Sequence, residues 1–326
     1  MLKLGLKHIF PLAVLAMASQ TLPSAKAQDY PNKTIKYVVP FAPGGITDYT
    51  GRLMATHLTQ ALGQSVVVEN RTGGGGVTGL DSVVRSAPDG YTIVQMDPSL
   101  VINPTLMASV PYDIFKQLST VSIISSSPLV LVTAPQLPIK SFADFVAYGK
   151  ANPGKLNFSS AGIGTTPHLA GELFKQRTGV DAQHIPYKGI GQSYPDMMNN
   201  KIQFAFSSIA GALPFTTDNR VRAIATTGVK RSAVLPDLPT VGEAGLSGYA
   251  VDLWLGIFVP SGVPAPVLAK LQEALLAVLK KEEVIKGLEK VGAEPRGSSS
   301  ADGAALVKSE FDMWKNVVVT GNIKAE

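Results

Sequence analysis

The chain has 326 residues, 29 Lys and Arg against 24 Asp and Glu, 45% hydrophobic residues and no cysteine. The missing cysteine excludes disulfides, thiolate metal sites and lipid attachment through an N-terminal Cys. Scattered basic residues that never interleave with aromatics exclude a nucleic-acid footprint. The length exceeds what one hydrophobic core organises, so two domains are expected.

In chain order, residues 1–27 read as an export signal: Lys3 and Lys7, an apolar run from Ile9 to Ala18, then the small-x-small site Ala25-Lys26-Ala27. The run is too short for a membrane span, which needs about 20 apolar residues. Cleavage after Ala27 removes three Lys and leaves 26 basic against 24 acidic residues, so the mature chain is near neutral. β-Branched runs then alternate with helical patterns, the layout of an α/β protein with mainly parallel sheets. Strands are expected at Ile35 to Val39, Val66 to Glu69, Tyr91 to Gln95, Leu129 to Thr133, Leu156 to Ser159, His184 to Pro186, Ile202 to Phe206 and Ala223 to Thr226. Helices are expected at Thr47 to Leu62, stopped by Gly63; at Phe142 to Ala151, stopped by Asn152-Pro153; and at Pro167 to Arg177, stopped near Gly179. From Pro266 the pattern is helical, and Ser300 is positioned to cap a last helix carrying Leu306, Phe311 and Trp314.

One local arrangement occurs twice, about 120 residues apart: a strand, a glycine-containing loop, then a helix start. The first copy runs through Phe41, Ala42, Pro43, Gly44 and Gly45 to Asp48; the second runs through Ser160, Ala161, Gly162, Thr165 and Thr166 to His168. Glycine lets the backbone approach a ligand, and the unpaired amides of a first helical turn carry partial positive charge. Each loop is therefore an anion site that needs no Lys or Arg. Such loops lie at the carboxyl ends of strands, where open sheets bind ligands. Tyr187, Lys188, Ser207 and Ser208 follow strands on the same rim and are candidates to complete the site. Asp48, as an acid in a first turn, either faces a ligand or stabilises the helix dipole. His168 and Lys188 are each either ligand donors or solvated surface groups.

Enzyme patterns are weaker. Gly74-Gly75-Gly76-Val77-Thr78-Gly79 matches GxGxxG, and Asp97 follows Gly79 by 18 residues. Asn70-Arg71-Thr72 separates strand from glycines, however, and an exported protein lacks the cell's nicotinamide pool, which argues against a dinucleotide site. The mature chain's His57, His168 and His184 have no paired-ligand spacing for a metal. No GxSxG, SxxK or GxxxxGK[ST] motif is present. Neither catalysis, a metal nor a cofactor is expected.

Seven segments occur in order: Val39-Pro40-Phe41-Ala42-Pro43-Gly44-Gly45 with Asp48, Val68-Glu69-Asn70-Arg71, Ala87-Pro88-Asp89-Gly90-Tyr91-Thr92, Asn152-Pro153-Gly154-Lys155-Leu156, Gly164-Thr165 with His168-Leu169-Ala170-Gly171-Glu172, Pro186-Tyr187-Lys188-Gly189, and Leu238-Pro239-Thr240-Val241 with Glu243-Ala244-Gly245. Together they resemble the substrate-binding proteins of tripartite tricarboxylate transporters, the Bug or TctC-like family, from about Tyr30 to the C-terminus. The resemblance implies a type II periplasmic binding protein fold in the periplasm, with two α/β lobes and two hinge crossings. It places residues 28–127 and 252–326 in lobe 1 and 128–251 in lobe 2, the C-terminal helices returning to the first. It also implies a monomer that holds a small carboxylate through backbone amides of the two loops and ordered water, and delivers it to permease subunits. The family commonly has an Asp at the position matched by Ser207, so an amino-acid ligand is disfavoured; with Phe41 to stack on a flat ligand and Ser207 and Ser208 to hydrogen-bond a second carboxylate or hydroxyl, a dicarboxylate, aromatic or not, is expected. The other readings are a ligand-sensing subunit docking on a receptor's extracellular domain and an exported enzyme.

Overall fold

A computed structural model of the chain describes residues 30–187 and 189–324. The export signal and its cleavage site lie outside the described residues. β1 (Ile35–Val39) buries four of its five side chains because helices cover both faces of the sheet, the usual condition of a parallel strand. α1 (Ile46–Leu62) follows and ends at Gly63, whose φ of 66° is the left-handed conformation that glycine adopts freely. β2 (Val66–Asn70), a 3-10 turn at Gly74–Gly76, α2 (Val77–Val84), β3 (Thr92–Met96), α3 (Ser99–Leu106), α4 (Ile114–Gln117) and β4 (Leu118–Ser126) complete this stretch.

The chain then crosses into a second sheet. Its elements are β5 (Leu129–Thr133), α5 (Phe142–Ala151), β6 (Leu156–Ser160), α6 (Thr166–Thr178), β7 (Ala182–Pro186), α7 (Tyr194–Met198), β8 (Phe204–Ser208), α8 (Ile209–Thr216) and β9 (Arg222–Thr226). It returns through β10 (Leu255–Pro260), α9 (Ala265–Val278), α10 (Glu282–Glu289), β11 (Glu294–Pro295) and α11 (Ser300–Thr320). The six-stranded sheet has the order β11-β4-β10-β3-β1-β2 and the five-stranded sheet β7-β6-β8-β5-β9.

The sheets are mixed, which corrects the expectation of mainly parallel ones. β1, β2 and β3 are parallel, as are β6, β7 and β8, but β10 enters antiparallel between β3 and β4, and β5 enters antiparallel between β8 and β9. The cause lies at the crossings. Only Ser127 and Pro128 separate β4 from β5, so the chain runs directly from sheet to sheet without a crossover helix. The return passes beside it: Pro128 bridges Asp252, and the Leu253 N–H donates to the Ser127 carbonyl at 2.9 Å.

A second correction concerns the last helix. Its cap is Ser299, whose Oγ accepts from the Asp302 N–H at 3.0 Å, while the Ser300 hydroxyl donates to the Val121 carbonyl. One core packs α1, α9 and α10 on the six-stranded sheet through Met54, Leu58, Leu271, Leu275 and Leu288. The other runs from α3 through Val307, Trp314 and Val317 of α11 to the aromatic side chains of the second sheet, Phe158, Phe204 and Phe206. Helix α11 therefore touches both halves, and Gln176 of α6 donates to the Val317 carbonyl at 2.9 Å. Inside this packing, the indole N–H groups of Trp254 and Trp314 both donate to Glu310 Oε2, at 2.7 and 3.2 Å.

Candidate functional site

Because β1, β2 and β3 are parallel, their following loops share one sheet edge: Phe41–Gly45, Gly73–Gly76 and Asp97–Ser99. On the second sheet, β6 and β8 likewise deliver Ala161–Thr165 and Ser208 to one edge. The two edges face each other across a cavity of about 860 Å³, a size suited to a small molecule. From the first loop, Phe41, Gly44 and Gly45 line it; from the second, Ala161, Thr165 and Thr166; from the start of α8, Ser208. These are the sequence candidates that reach the cavity. Lys188 lies outside the described residues.

The two helices that follow the glycine loops are uncapped, unlike α8, which Ser208 caps. α1 starts at Gly45 and α6 at Thr165, and neither receives a side-chain cap, whereas Ser141 caps α5 and Ser299 caps α11. The amides of Gly45, Ile46 and Thr47, and of Ile163, Thr166 and His168, have no acceptor among the described residues. Two sets of partly positive N–H groups thus open on one cavity.

One further amide of each loop is tied back in the same way. The Gly44 N–H donates to Asp48 Oδ2 at 3.0 Å, and the Gly164 N–H donates to His168 Nδ1 at 3.1 Å, in each case four residues on. Asp48 and His168 therefore position loops and do not line the cavity. Burial pushes the Asp48 carboxyl up, but hydrogen bonds from Arg52, Gly44 and Asn70 outweigh it and hold it below the ordinary carboxylate range. Asn70 also donates to the Phe41 carbonyl at 3.0 Å, so one side chain braces both ends of the loop. Burial, then His184 and Lys175, lower His168 to about 3, which leaves the neutral ring that an accepting Nδ1 requires.

Other sequence candidates prove to be supports. Ser160 is buried; its Oγ accepts from the Gly162 N–H at 3.0 Å and lies 2.7 Å from His184 Nε2, and His184 stacks on His168 at 3.8 Å. Gly162 accepts in turn from Thr165 Oγ1 at 2.7 Å. Ser207 faces the core, where its Oγ accepts from the Tyr194 hydroxyl at 2.9 Å, and Tyr187 donates to Asp196 at 2.7 Å. Ala42, Pro43, Gly162, Tyr187 and Ser207 are not among the cavity-lining residues. Conversely, the glycine cluster weighed above as a dinucleotide motif supplies Gly74 and Gly75 to the cavity, and Asp97 lines it too. Sequence reasoning passed over these, and over Tyr49, Ile102, Asn103 and Leu106, although a glycine cluster at the end of a parallel strand was a signal in plain view.

Among the described residues lining the cavity there is no Lys, Arg or His. No group of three or more potential metal ligands is found among the described residues, nor a helix long and apolar enough to cross a membrane.

Comparison with known proteins agrees with this geometry. Residues 50–323 match the model of the tripartite tricarboxylate transporter family receptor. Protein BugT of Bordetella pertussis is 34% identical over 294 residues, covering 90% of each chain. An R. palustris protein solved with adipate is 32% identical, with a TM-score of 0.77 over 91% of this chain and 99% of that one. MatC from Rhodopseudomonas palustris, with bound malate, is 31% identical, with a TM-score of 0.72 over 89% of this chain and all of that one. The fold is that of periplasmic binding proteins, and these relatives are solute-binding proteins, not enzymes. The chain belongs to the tripartite tricarboxylate transporter receptor family, the group that includes the Bug proteins.

Proposed function

We propose that the protein captures a small organic carboxylate between its two sheets and hands it, as a periplasmic monomer, to the permease subunits of a tripartite tricarboxylate-type transporter. The observation that carries this reading is the pair of uncapped helix starts opening on one cavity without a cation among its described lining residues. Such amides hold a carboxylate by charge-assisted hydrogen bonds. The adipate and malate found with two relatives support the same ligand chemistry. Residues 1–27 act as a cleaved export signal, and the paired crossings near Ser127–Pro128 and Val251–Leu253 act as the hinge that closes lobe 128–251 on the rest. Phe41 and Tyr49 offer aromatic faces to a flat ligand body. Ser207 faces the core, whereas Ser208 lines the cavity, where its Oγ accepts from the Gly211 N–H and its hydroxyl hydrogen is left to donate to a ligand oxygen.

Calorimetry with a panel of organic acids and their amides tests the reading. An acid is expected to bind, with at least a tenfold loss when its carboxylate becomes an amide. Tight binding of another solute class with no acid bound overturns it. Asp48→Ala is expected to weaken the same acid about tenfold, roughly 1.4 kcal/mol, because Gly44 and Asn70 lose their shared acceptor. Unchanged affinity in that variant shows that the loop holds its shape without the brace.

A further inference from the structure

Asp97 is the only charged side chain among the described residues lining the cavity. It follows β3 as Phe41 follows β1, and the register of these parallel neighbours, Val38 opposite Val94, puts both residues three positions further along on the same edge. Its Oδ1 accepts from the Ser99 N–H at 2.9 Å and from the Ser99 hydroxyl, which fixes the side chain. Its Oδ2 has no hydrogen-bond partner among the described residues. Asn103, also on the cavity, is held in place by its Nδ2, which donates to the Gly75 carbonyl at 2.9 Å.

We propose that Asp97 is the specificity-determining group for the second pole of the ligand, and that the protein selects a carboxylate in which this pole is a hydrogen-bond donor, a hydroxyl or an ammonium, over one in which it is a second carboxylate. A held carboxylate with an open oxygen accepts from such a donor directly. A second ligand carboxylate in its place sets two acids face to face, which requires a shared proton or a neutralising cation. Burial already pushes Asp97 above the ordinary carboxylate range, so its ionised form gains most from a donor. The acceptor that Ser207 does not provide on one lobe is thus supplied by the other. Apolar Ile102, Leu106 and Ile163, which line the same cavity, disfavour a hydrated ion and favour a ligand with a hydrocarbon middle.

This inference rests on the carboxylate reading above, and the test separates the two. Two matched series are titrated calorimetrically: hexanoate, its ω-hydroxy and ω-amino derivatives and adipate; and benzoate, its para-hydroxy and para-aminomethyl derivatives and terephthalate. In at least one series the hydroxy or amino acid is expected to bind at least tenfold more tightly than both the plain acid and the diacid. In Asp97→Asn, whose Oδ1 still accepts from Ser99, that advantage is expected to shrink tenfold or more, with the plain acid changed less than threefold. A wild-type ranking led by the diacid overturns the proposal, as does a variant that weakens all four acids equally. Should the variant fail to fold, the wild-type ranking decides. If no acid binds, or hexanamide and benzamide bind as well as the acids, the carboxylate reading itself falls.

Discussion

Gly44→Val is expected to weaken carboxylate binding on the order of 100-fold while the far-UV circular dichroism stays that of the parent. Contact is not the reason: a Cβ built at Gly44 meets nothing within 4 Å. The backbone is the reason. Gly44 sits at φ 90°, where a β-branched residue is strained by more than about 1–2 kcal/mol. The loop relieves that strain by moving, which breaks the Gly44 to Asp48 hydrogen bond and turns the Gly45 and Ile46 amides off the cavity. Losing two charge-assisted hydrogen bonds costs about 3 kcal/mol, hence the stated factor. Gly162→Val acts in the same direction on the second loop, since Gly162 has φ 125° and both donates to and accepts from Ser160. Parental affinity in both variants refutes the proposed grip.

The second large effect is on stability. Glu310 is nearly fully buried, and burial, opposed by the hydrogen bonds from Trp254 and Trp314, raises its carboxyl to about 7 from the ordinary 4.5. Between these two values the folded protein holds a proton that the unfolded chain releases. This contribution to stability is therefore complete below pH 4.5, declines as the pH climbs, and is lost above about 7, a fall of about 3 kcal/mol. Asp252, also raised by burial, contributes a loss of the same sign as the pH rises. Urea unfolding of Glu310→Gln across this range is expected to give a flatter profile that crosses the parent's. Glu310→Leu, which leaves two buried indole N–H groups unpaired, is expected to cost about 2–4 kcal/mol near pH 5. Parallel profiles for parent and Gln variant refute the assignment.

What could be read in advance followed the range of the forces involved. Strand β1 and helices α1 and α6 were legible to within a residue or so, because apolar periodicity and the stops Gly63 and Gly179 act locally. Strand β10 was missed. Leu255–Pro260 is buried throughout, so it shows no alternation, and its partners β3 and β4 lie far back in the chain. The two loops announced themselves through glycine and strand ends, but the roles of Asp48 and His168 did not, since an acceptor at the third residue of a helix looks the same whether it faces a solute or its own loop. Ser207 and Ser208 are adjacent, and a strand sends neighbours to opposite faces, so only one of them could reach the rim. Asp97 was visible too, but it was weighed only as the acid of a dinucleotide motif and set aside with it.

The contact between α6 and α11 has a mechanical meaning. Helix α6 carries the second loop at its first residue and rests on Val317 near its last, about 15 Å away at 1.5 Å per residue. Its far end is therefore braced by a helix that also packs on β4 of the six-stranded sheet. Trimming the chain before Val317 removes that brace and is expected to weaken acid binding in calorimetry, at a distance from anything the solute touches.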